Sequence, residues 1–442
     1  MSTPKIFDFG RRTFLQGTTA LAAVSLFPHK LRTSANEKLR TVHIGVGGMG
    51  NSDLGSIASH SGVEIAGLCD VDKNALGKAH EQFGNARTFV DFREMLSELG
   101  DSIDAVVVST PDHTHAPAAM MAMGMDKHVY CQKPLTHEVY EARQLRLMAE
   151  EKELVTQMGI QVHSSAVYRR AVLMIQQGVV GKVSQVHAWS NKNWGYDGGA
   201  FTTTAEAPAH LNWDLWLGTA KARDFSPRVY HPGQWRKLID FGTGTLGDMG
   251  VHIFDSPYAA LKLTAPNWVS TSCREPTSVG HPQQNKVECE FLDTDYTTEK
   301  LMWTWYDGKM APPKSTDVGL GEDVKLPGQG SLFVGEKGTM LLPHVGEAVL
   351  YPSADFEGFD RPQVDERNHY HEWVDACMGE GETSASFDYG GPLTEALLLG
   401  VVANRFPGEK LTWDAGKMET NNSNANELLR RRYRKGFEVQ NL

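Results

Sequence analysis

A glycine-rich turn between a short apolar strand and a helix is the feature of the 442-residue sequence that most constrains its fold. Gly45, Gly47 and Gly50 stand at the end of the strand pattern of residues 40–46 and open the helical pattern that comes next. At this spacing the first glycine permits a tight turn, the second lets the backbone approach a pyrophosphate, and the third lets the helix pack closely on the strand. The turn therefore predicts a dinucleotide site on a doubly wound parallel sheet.

Asp70 ends the next strand pattern, residues 63–69, twenty residues after Gly50. A carboxylate at this place accepts hydrogen bonds from the hydroxyls of an adenosine ribose, whereas a 2′-phosphate there meets a like charge. At about 4 Å and an effective dielectric constant of about 20, that repulsion is about 4 kcal/mol, which is on the order of a thousandfold in affinity. The sequence therefore favours NAD over NADP, unless a nearby arginine reverses the preference.

Strand and helix patterns alternate through the N-terminal part of the chain. Further strand patterns cover residues 88–90, 105–109, 128–131 and 155–158, and a helix-length segment separates each from the next. This alternation predicts an α/β fold with an N-terminal Rossmann domain, residues 36–160, built on a parallel sheet. Beyond it the pattern changes to longer strands with many aromatic residues.

The first 35 residues carry the pattern of an export signal. Arg11 and Arg12 precede an apolar stretch, residues 21–27, and the small residues 33–35 offer a cleavage site. Because a bilayer-spanning helix needs about 20 apolar residues, and no segment of the sequence is that long, we expect no membrane span in the mature protein. The pattern predicts a twin-arginine signal peptide over residues 1–35 and a periplasmic or secreted protein; an uncleaved anchor and a plain N-terminal arm are the alternatives.

The net charge and the cysteine content of the chain limit the classes of ligand that it can be expected to bind. The chain has 43 Lys and Arg against 54 Asp and Glu, a formal net charge of −11, and this acidic balance disfavours nucleic-acid binding because phosphates need a basic surface. Its five cysteines include no C-x-x-C pair, so no structural zinc site is indicated. His113 and His115 alone are a poor set of metal ligands, and we expect no metal. The expected partner is therefore a small molecule.

Two short motifs after later strands complete a family resemblance. T-P-D-H-T-H at residues 110–115 follows the fourth strand pattern, and Q-K-P at residues 132–134 follows the fifth. With the glycine turn, these motifs resemble the glucose-fructose oxidoreductase and inositol dehydrogenase family (Gfo/Idh/MocA), whose pattern is T-P-x-x-x-H and then E-K-P. Gln132 stands where that family has a glutamate, and we expect it to keep a hydrogen bond without the charge.

The resemblance implies a second domain and a set of cofactor contacts. Residues 161–442 should form a C-terminal α+β domain with an open, largely antiparallel sheet that binds substrate and pairs subunits, so a homo-oligomer is expected. The cofactor, NAD rather than NADP, is expected to contact Gly45, Gly47, Met49, Gly50, Asp70, Thr110, Pro111, His115, Gln132, Lys133 and Gln161.

Asp248 and His252 are the predicted centre of the chemistry. They stand four residues apart in an apparent helix, where side chains at this spacing share a face and can hydrogen-bond. The pair matches the D-x-x-x-H of the family, as Lys133 matches its lysine. We expect His252 to act as general acid and base, Asp248 to orient its imidazole, and Lys133 to stabilise the developing alkoxide or relay the proton. Which of Lys133 and His252 takes the proton first stays open.

Aromatic and polar residues ahead of Asp248 indicate a carbohydrate pocket, because aromatic faces stack on sugar rings and polar groups bind hydroxyls. The predicted substrate-binding residues are Tyr168, Trp194, Trp213, Trp235 and Arg236.

Together these features predict an NAD-dependent oxidoreductase that moves hydride from a sugar, cyclitol or glycoside hydroxyl to tightly bound nicotinamide. Tight binding is expected because an exported enzyme meets no free nicotinamide pool. Such a cofactor turns over only if its hydride is returned on the protein, which also fits a redox-neutral NAD-dependent glycosidase that works by oxidation, elimination, hydration and reduction. A non-catalytic protein that binds sugars or dinucleotides is the third possibility, and the retained Lys133, Asp248 and His252 disfavour it.

Overall fold

Strands and helices alternate in the first part of the described chain, as the sequence predicts. The computed structural model describes residues 38–442, so the predicted signal peptide, residues 1–35, lies outside the described residues. The elements of this part are β1 (Leu39–Ile44), α1 (Met49–Ala58), β2 (Val63–Cys69), α2 (Lys73–Gln82), β3 (Arg87–Phe89), α3 (Phe92–Leu99), β4 (Ala105–Val108), α4 (Asp112–Gly124), β5 (His128–Gln132), α5 (Val139–Glu151) and β6 (Thr156–Gly159).

These six strands form one parallel sheet in the order β3-β2-β1-β4-β5-β6. Ile44 pairs with Cys69 on one side and with Val108 on the other, so β1, β2 and β4 end level with one another. The strand order reverses between β1 and β4, and open α/β sheets bind their ligands outside the carboxyl ends of the strands at such a point. The predicted Rossmann sheet is therefore confirmed, and it presents one edge for a ligand.

A second, nine-stranded sheet follows. Its strands are β7 (Val183–Ser190), β8 (Trp268–Cys273), β9 (Asn285–Leu292), β10 (Thr297–Asp307), β11 (Gln329–Gly335), β12 (Thr339–Pro343), β13 (Val349–Tyr351), β14 (Lys410–Asp414) and β15 (Glu419–Thr420). Their order is β13-β12-β11-β7-β10-β9-β8-β14-β15. β7 and β10 run parallel, and the other neighbours run antiparallel. The predicted α+β part with a largely antiparallel sheet is confirmed.

Helices accompany the second sheet. They are α6 (Ala166–Gln176), α7 (Trp213–Leu217), α8 (Val251–Ala260), α9 (His369–Cys377), α10 (Phe387–Ala403) and α11 (Ser423–Asn426). A π-helical turn, Leu246–Gly250, leads directly into α8. Short 3-10 helices lie at Gly100–Ser102, Gln161–Ser164, Gln234–Lys237, Ser315–Val318 and Ser353–Phe356.

Helix α10 packs against elements of both sheets. It contacts α5 and β6 on one side and α8 and β8 on the other, and it is buried along almost its whole length, as expected for a helix that is apolar on nearly every face. Its one buried carboxylate, Glu395, pairs with Arg143 of α5 at 2.7 Å. One hydrophobic core therefore runs through both parts. No helix between residues 38 and 442 is both long and apolar enough to cross a membrane.

Helix α9 returns to the parallel sheet from the C-terminal part of the chain. Its Trp373 and Val374 join the buried cluster of Leu39, Val107 and Tyr130. A segment far beyond residue 160 thus completes one face of the nucleotide-binding sheet, which a boundary drawn from the local strand and helix patterns does not anticipate.

Substitution of Gly50 by alanine tests the close packing at the start of α1. A Cβ at this position would lie 2.0 Å from the carbonyl oxygen of Gly45, whereas a Cβ at Gly55, in the same helix, meets no atom within 4 Å. We expect Gly50→Ala to lower the free energy of unfolding by about 1–3 kcal/mol, the usual cost of overpacking. Gly55→Ala should leave it unchanged or raise it by up to about 1 kcal/mol, because alanine favours the helix. Urea denaturation measures both, and equal unfolding midpoints would contradict this packing.

Candidate active site

A cleft of about 910 Å³ opens at the carboxyl ends of β1, β2, β4 and β5. Its inner wall is the glycine turn, where Gly45 has a φ of +81° and a Cβ would lie 2.7 Å from the carbonyl oxygen of Ser109. Helix α1 begins beside the turn, and among the described residues no side chain caps its first N–H groups. These N–H groups and the positive end of the helix dipole border the cleft and fit the pyrophosphate of a dinucleotide.

Asp70 lies at the end of the cleft nearest β2, here called the β2 end. Its two carboxylate oxygens accept hydrogen bonds from the backbone N–H groups of Val46 at 2.9 Å and Asp72 at 2.8 Å, and burial raises its pKa. Arg93 lines the same end, but its Nε already donates to both oxygens of Asp91, at 2.9 and 3.0 Å. Among the described residues no lysine or arginine pairs with the carboxylate of Asp70, which the sequence predicts to face the ribose.

A group of three side chains, called the clasp below, ties a later segment to the β2 end. Asp72 accepts hydrogen bonds from Nδ1 of His210 at 2.9 Å and from Nε2 of His231 at 2.8 Å, and the N–H of Lys73 donates to the carbonyl oxygen of His210 at 2.8 Å. Burial opposes the ionisation of Asp72, but the N–H of Asn74 and the two imidazoles outweigh it and lower its pKa. The clasp thus holds part of the chain between β7 and α8 against the cleft.

The C-terminal residues 437–439 also line the β2 end. The ring of Phe437 lies 4.5 Å from the guanidinium carbon of Arg93 and 4.2 Å from that of Arg434. Nη1 of Arg93 donates to the carbonyl oxygen of Gly436 at 2.8 Å, across 343 positions of the sequence. No local motif indicates such a contact, so the sequence alone does not predict it.

At the opposite, β5 end of the cleft, Lys133 meets the π-helical turn. Its Nζ donates to Oδ1 of Asp248 at 2.8 Å and to the carbonyl oxygen of the same residue at 3.1 Å, and Nε of Arg236 donates to the same Oδ1 at 3.1 Å. Burial alone would raise the pKa of Asp248, but the two cations hold it well below its ordinary value. Asp248 is therefore an ionised carboxylate between two positive charges.

The expected hydrogen bond between Asp248 and His252 is absent. Asp248 belongs to the π-helical turn, whose wider turn displaces it from the i, i+4 geometry of an α-helix. Its carboxylate turns to Lys133 and Arg236, and Nδ1 of His252 is buried with no hydrogen-bond partner among the described residues. In this geometry Asp248 acts on the imidazole only through its charge, and the orienting role expected of it stays a prediction.

His252 has a second histidine as its neighbour. Its ring lies 5.7 Å from the ring of His344, and Nδ1 of His344 lies 2.7 Å from the hydroxyl of Tyr168. Burial, together with the positive charge of Lys133 and the neighbouring His344, lowers the pKa of His252 well below its ordinary value. The imidazole that lines the cleft is therefore neutral at pH 7 and able to accept a proton.

Two of the predicted substrate-binding residues lie outside the cleft. Tyr168 is 3% exposed and packs behind His344. Trp213 stacks on Trp216 with ring centroids 5.0 Å apart, and its Nε1 donates to the carbonyl oxygen of Arg223 at 2.8 Å. Both predictions are wrong because these rings satisfy their polar atoms within the protein and pack into its apolar clusters.

The other three predicted substrate-binding residues, Trp194, Trp235 and Arg236, line the β5 end. The guanidinium of Arg236 lies 4.3 Å from the ring of Trp235 and 5.5 Å from that of Trp194. Cation–π contact with two indoles, together with the bond to Asp248, holds this guanidinium in place.

The predicted cofactor contacts follow the wall of the cleft, apart from Gly50, which is buried against Gly45. Those that line it are Gly45, Gly47, Met49, Asp70, Thr110, Pro111, His115, Gln132, Lys133 and Gln161. The ring nitrogens of His115 lie 2.8 Å from the carbonyl oxygens of Thr110 and Pro134, so this histidine lies between the two loops that carry the motifs and donates to one of the two oxygens. Within residues 38–442 no group of three or more His, Cys, Asp and Glu side chains is placed to hold a metal.

Two models of one protein family match the chain. Residues 39–160 match the "Oxidoreductase family, NAD-binding Rossmann fold", and residues 169–276 match the "Oxidoreductase family, C-terminal alpha/beta domain". Together the two segments cover just over half of the chain. The chain belongs to the Gfo/Idh/MocA oxidoreductase family.

Relatives within this family carry several names. The chain is 27% identical over 198 residues to a "Glycosyl hydrolase family 109 protein" of Stenotrophomonas maltophilia, an alignment covering 41% of this chain and 42% of the relative. It is 26% identical over 209 residues to an "Inositol 2-dehydrogenase/D-chiro-inositol 3-dehydrogenase" of Lactiplantibacillus plantarum, covering 45% of this chain and 58% of the relative. The chain thus matches about half of the length of these curated relatives.

Solved structures share the fold over most of the chain. The WlbA dehydrogenase from Bordetella pertussis, in complex with NADH and UDP-GlcNAcA, superposes with a TM-score of 0.61 over 86% of this chain and 99% of that chain, at 16% sequence identity. In the chain described here, residues 39–160 form the Rossmann domain that the family description calls NAD-binding.

The charge of Lys133 tests the environment of His252. Lys133→Met removes a positive charge that opposes protonation of the imidazole, so we expect the pKa of His252 to rise. Lys237→Met removes a charge that is not among the causes of the lowered pKa, and it should leave the pKa of His252 unchanged.

NMR titration of protein labelled at histidine measures both variants, with His252→Asn to assign the signal. An equal pKa in the unsubstituted protein and in Lys133→Met would refute the electrostatic cause.

Proposed function

We propose that this protein is an NAD-dependent oxidoreductase that takes hydride from the hydroxyl-bearing carbon of a sugar, a cyclitol or a glycoside. One observation carries the proposal: Nζ of Lys133, 2.8 Å from Asp248, and the imidazole of His252 line the same cleft as the glycine turn. A hydroxyl group in the β5 end therefore meets a hydrogen-bond donor and a proton acceptor in the cleft that fits the dinucleotide.

The proton steps follow from the charges at the β5 end. The nicotinamide ring, when bound, accepts the hydride. Nζ of Lys133, which already donates to the Asp248 carboxylate, donates a hydrogen bond to the substrate oxygen and stabilises the developing alkoxide. The neutral His252 takes the hydroxyl proton. The pairing of Lys133 therefore supports His252 as the first acceptor, a choice that the sequence left open.

The substrate class rests on the groups beside this pair. Trp194 offers an indole for stacking on a sugar ring, and Arg236 and the carboxylate of Asp248 offer a donor and an acceptor for hydroxyls. Relatives named as inositol dehydrogenases support the same class.

Tight retention of NAD is part of the proposal. The clasp and residues 437–439 both cover the β2 end, where the adenosine half of the dinucleotide would lie. Preference for NAD over NADP is supported by Asp70, whose carboxylate has no lysine or arginine partner within residues 38–442, and by Arg93, whose guanidinium is held by Asp91. Export through the twin-arginine signal at residues 1–35 and assembly into a homo-oligomer stay predictions.

A second candidate is the redox-neutral glycosidase. It is favoured by relatives named as members of glycosyl hydrolase family 109, one of them 31% identical over 156 residues, and by the proposed retention of NAD, since a trapped cofactor must recover its oxidised state on the protein. A non-catalytic binding protein would have no need for the Lys133, Asp248 and His252 arrangement.

Incubation of the purified protein with sugars, cyclitols and aryl glycosides separates the three candidates. A rise in absorbance at the NADH band, stoichiometric with bound cofactor, is expected of the oxidoreductase. Release of the aglycone with no net change at that band would identify the glycosidase, and neither signal would identify a binding protein. His252→Asn should abolish turnover and retain the cofactor; loss of bound cofactor in this variant would contradict its assigned role.

The clasp is tested by Asp72→Asn. Asparagine still caps α2 but loses the charge that His210 and His231 face. We expect NAD to dissociate about tenfold faster, which corresponds to about 1.4 kcal/mol, measured by transfer of the cofactor to an excess of a second dehydrogenase. Asp414→Asn, at the exposed end of β14 and outside the cleft, is the control and should release NAD at the original rate. An unchanged rate in Asp72→Asn would mean that the clasp does not retain the cofactor.

A further inference from the structure

Asp53 is a buried carboxylate on α1 that has no role in the proposed proton steps. Asp53 has 0% of its surface exposed, and among residues 38–442 no lysine or arginine lies close enough to be a cause of its pKa shift. A buried charge without a counter-ion is costly unless hydrogen bonds satisfy it. The groups that supply those bonds therefore indicate what Asp53 is for.

Three side chains from three other segments donate to Asp53. Oγ of Ser109, after β4, donates at 2.6 Å; Nε2 of Gln132, at the end of β5, donates to both carboxylate oxygens at 3.0 and 2.9 Å; and the hydroxyl of Tyr370, on α9, donates at 3.0 Å. An amide nitrogen can only donate, so the pattern suits the ionised carboxylate. Burial raises the pKa of Asp53, and these donors oppose the rise.

The donors connect Asp53 to the cleft. Ser109 and Gln132 line it, and so does Gln161, whose Nε2 donates to the hydroxyl of Tyr370 at 3.0 Å. The Tyr370 hydroxyl accepts the hydrogen bond from Gln161 and donates its own to Asp53, so it links Gln161 to the same carboxylate. One buried group thus fixes three side chains of the cleft wall.

The hydrogen bonds to Asp53 also fix the orientation of the side-chain amide of Gln132. Because Nε2 points to Asp53, Oε1 lies on the other side and accepts the N–H of Lys133 at 3.2 Å. In this orientation Gln132 offers an oxygen as acceptor, as a glutamate would. A glutamate at this position would bring two carboxylates within hydrogen-bond distance, and they would repel each other.

We propose that Asp53 is the positioning residue of the nicotinamide end of the site, where it orients Ser109, Gln132 and Gln161 for hydrogen bonds to the cofactor. It acts through these side chains and does not itself reach the cleft. The proposal rests on the proposed function only in taking a nicotinamide dinucleotide as the ligand.

Exchange of the Asp53 carboxylate and the Gln132 amide tests this positioning role. Gln132→Glu places a second carboxylate beside Asp53, Asp53→Asn removes the first, and the double variant restores one carboxylate and one amide in exchanged positions. We expect each single variant to raise the NAD dissociation constant about tenfold or more, and the double variant to return to within about threefold of the unsubstituted protein. Ser52→Ala, exposed on the same helix, is the control and should bind NAD unchanged.

ADP separates positioning from general damage, because it lacks the nicotinamide half of the cofactor. Its dissociation constant, measured by calorimetry on protein freed of NAD, should be the same in all variants. Parallel loss of ADP and NAD binding, unchanged NAD binding in Gln132→Glu, or a double variant that binds NAD no better than Gln132→Glu would each overturn the proposal. A double variant that fails to fold, judged by circular dichroism, would count against it too, since the exchange would then not be compensating.

The outcomes for Asp53 and for the proposed function are distinct. If the exchange restores NAD binding but the protein oxidises no sugar, cyclitol or glycoside, the proposed function fails and the positioning role stands. If turnover is found but the exchange restores nothing, the positioning role fails alone.

Discussion

The ion pair between Lys133 and Asp248 is the contact on which the rest of the site depends. Lys133 follows the fifth strand of the nucleotide-binding sheet and Asp248 lies in the π-helical turn 115 positions later, yet Nζ and Oδ1 are 2.8 Å apart. Both side chains are mostly buried, with 15% and 11% exposed, so removal of Asp248 would leave the charge of Lys133 without its partner. The pair therefore fixes the start of α8 against the sheet, and the place of His252 in the cleft follows from it.

Two buried carboxylates near this pair are used in opposite ways. Asp248 lies between the cations of Lys133 and Arg236, which hold its pKa down and make it a permanent counter-charge. Asp53 has only neutral donors, and burial raises its pKa. The first carboxylate balances the charges of two cations; the second organises neutral amides and hydroxyls without adding a counter-ion. The same residue type thus supplies electrostatics at one point and geometry at another, according to its partners.

The sequence could predict what depends on neighbours along the chain. The turn at Gly45 and the strand end at Asp70 are local, because close backbone approach and parallel register follow from the order of the elements. The hydrogen bond expected between Asp248 and His252 failed because one π-helical turn changes the spacing on which it depends. The contacts of Tyr168 and Asp53 could not be predicted, because their partners lie on distant segments and either residue type is common in a plain helix. What the sequence misses is therefore long-range pairing, and most of the site's support consists of it.

The two ends of the cleft differ in how they are covered, and this difference bears on turnover. At the β2 end the clasp and the residues around Phe437 lie over the edge of the sheet, held by charged hydrogen bonds and by the contacts of Phe437 with Arg93 and Arg434. At the β5 end Lys192 is exposed and Trp194 half-buried. A dinucleotide held under the clasp and Phe437 at the β2 end can leave only when several of these contacts break together. A small molecule at the β5 end lies beside the exposed Lys192 and the half-buried Trp194. This difference in cover is what the proposed retention of NAD requires, because a reaction that recycles its cofactor in place needs slow exchange of the dinucleotide together with rapid exchange of the substrate.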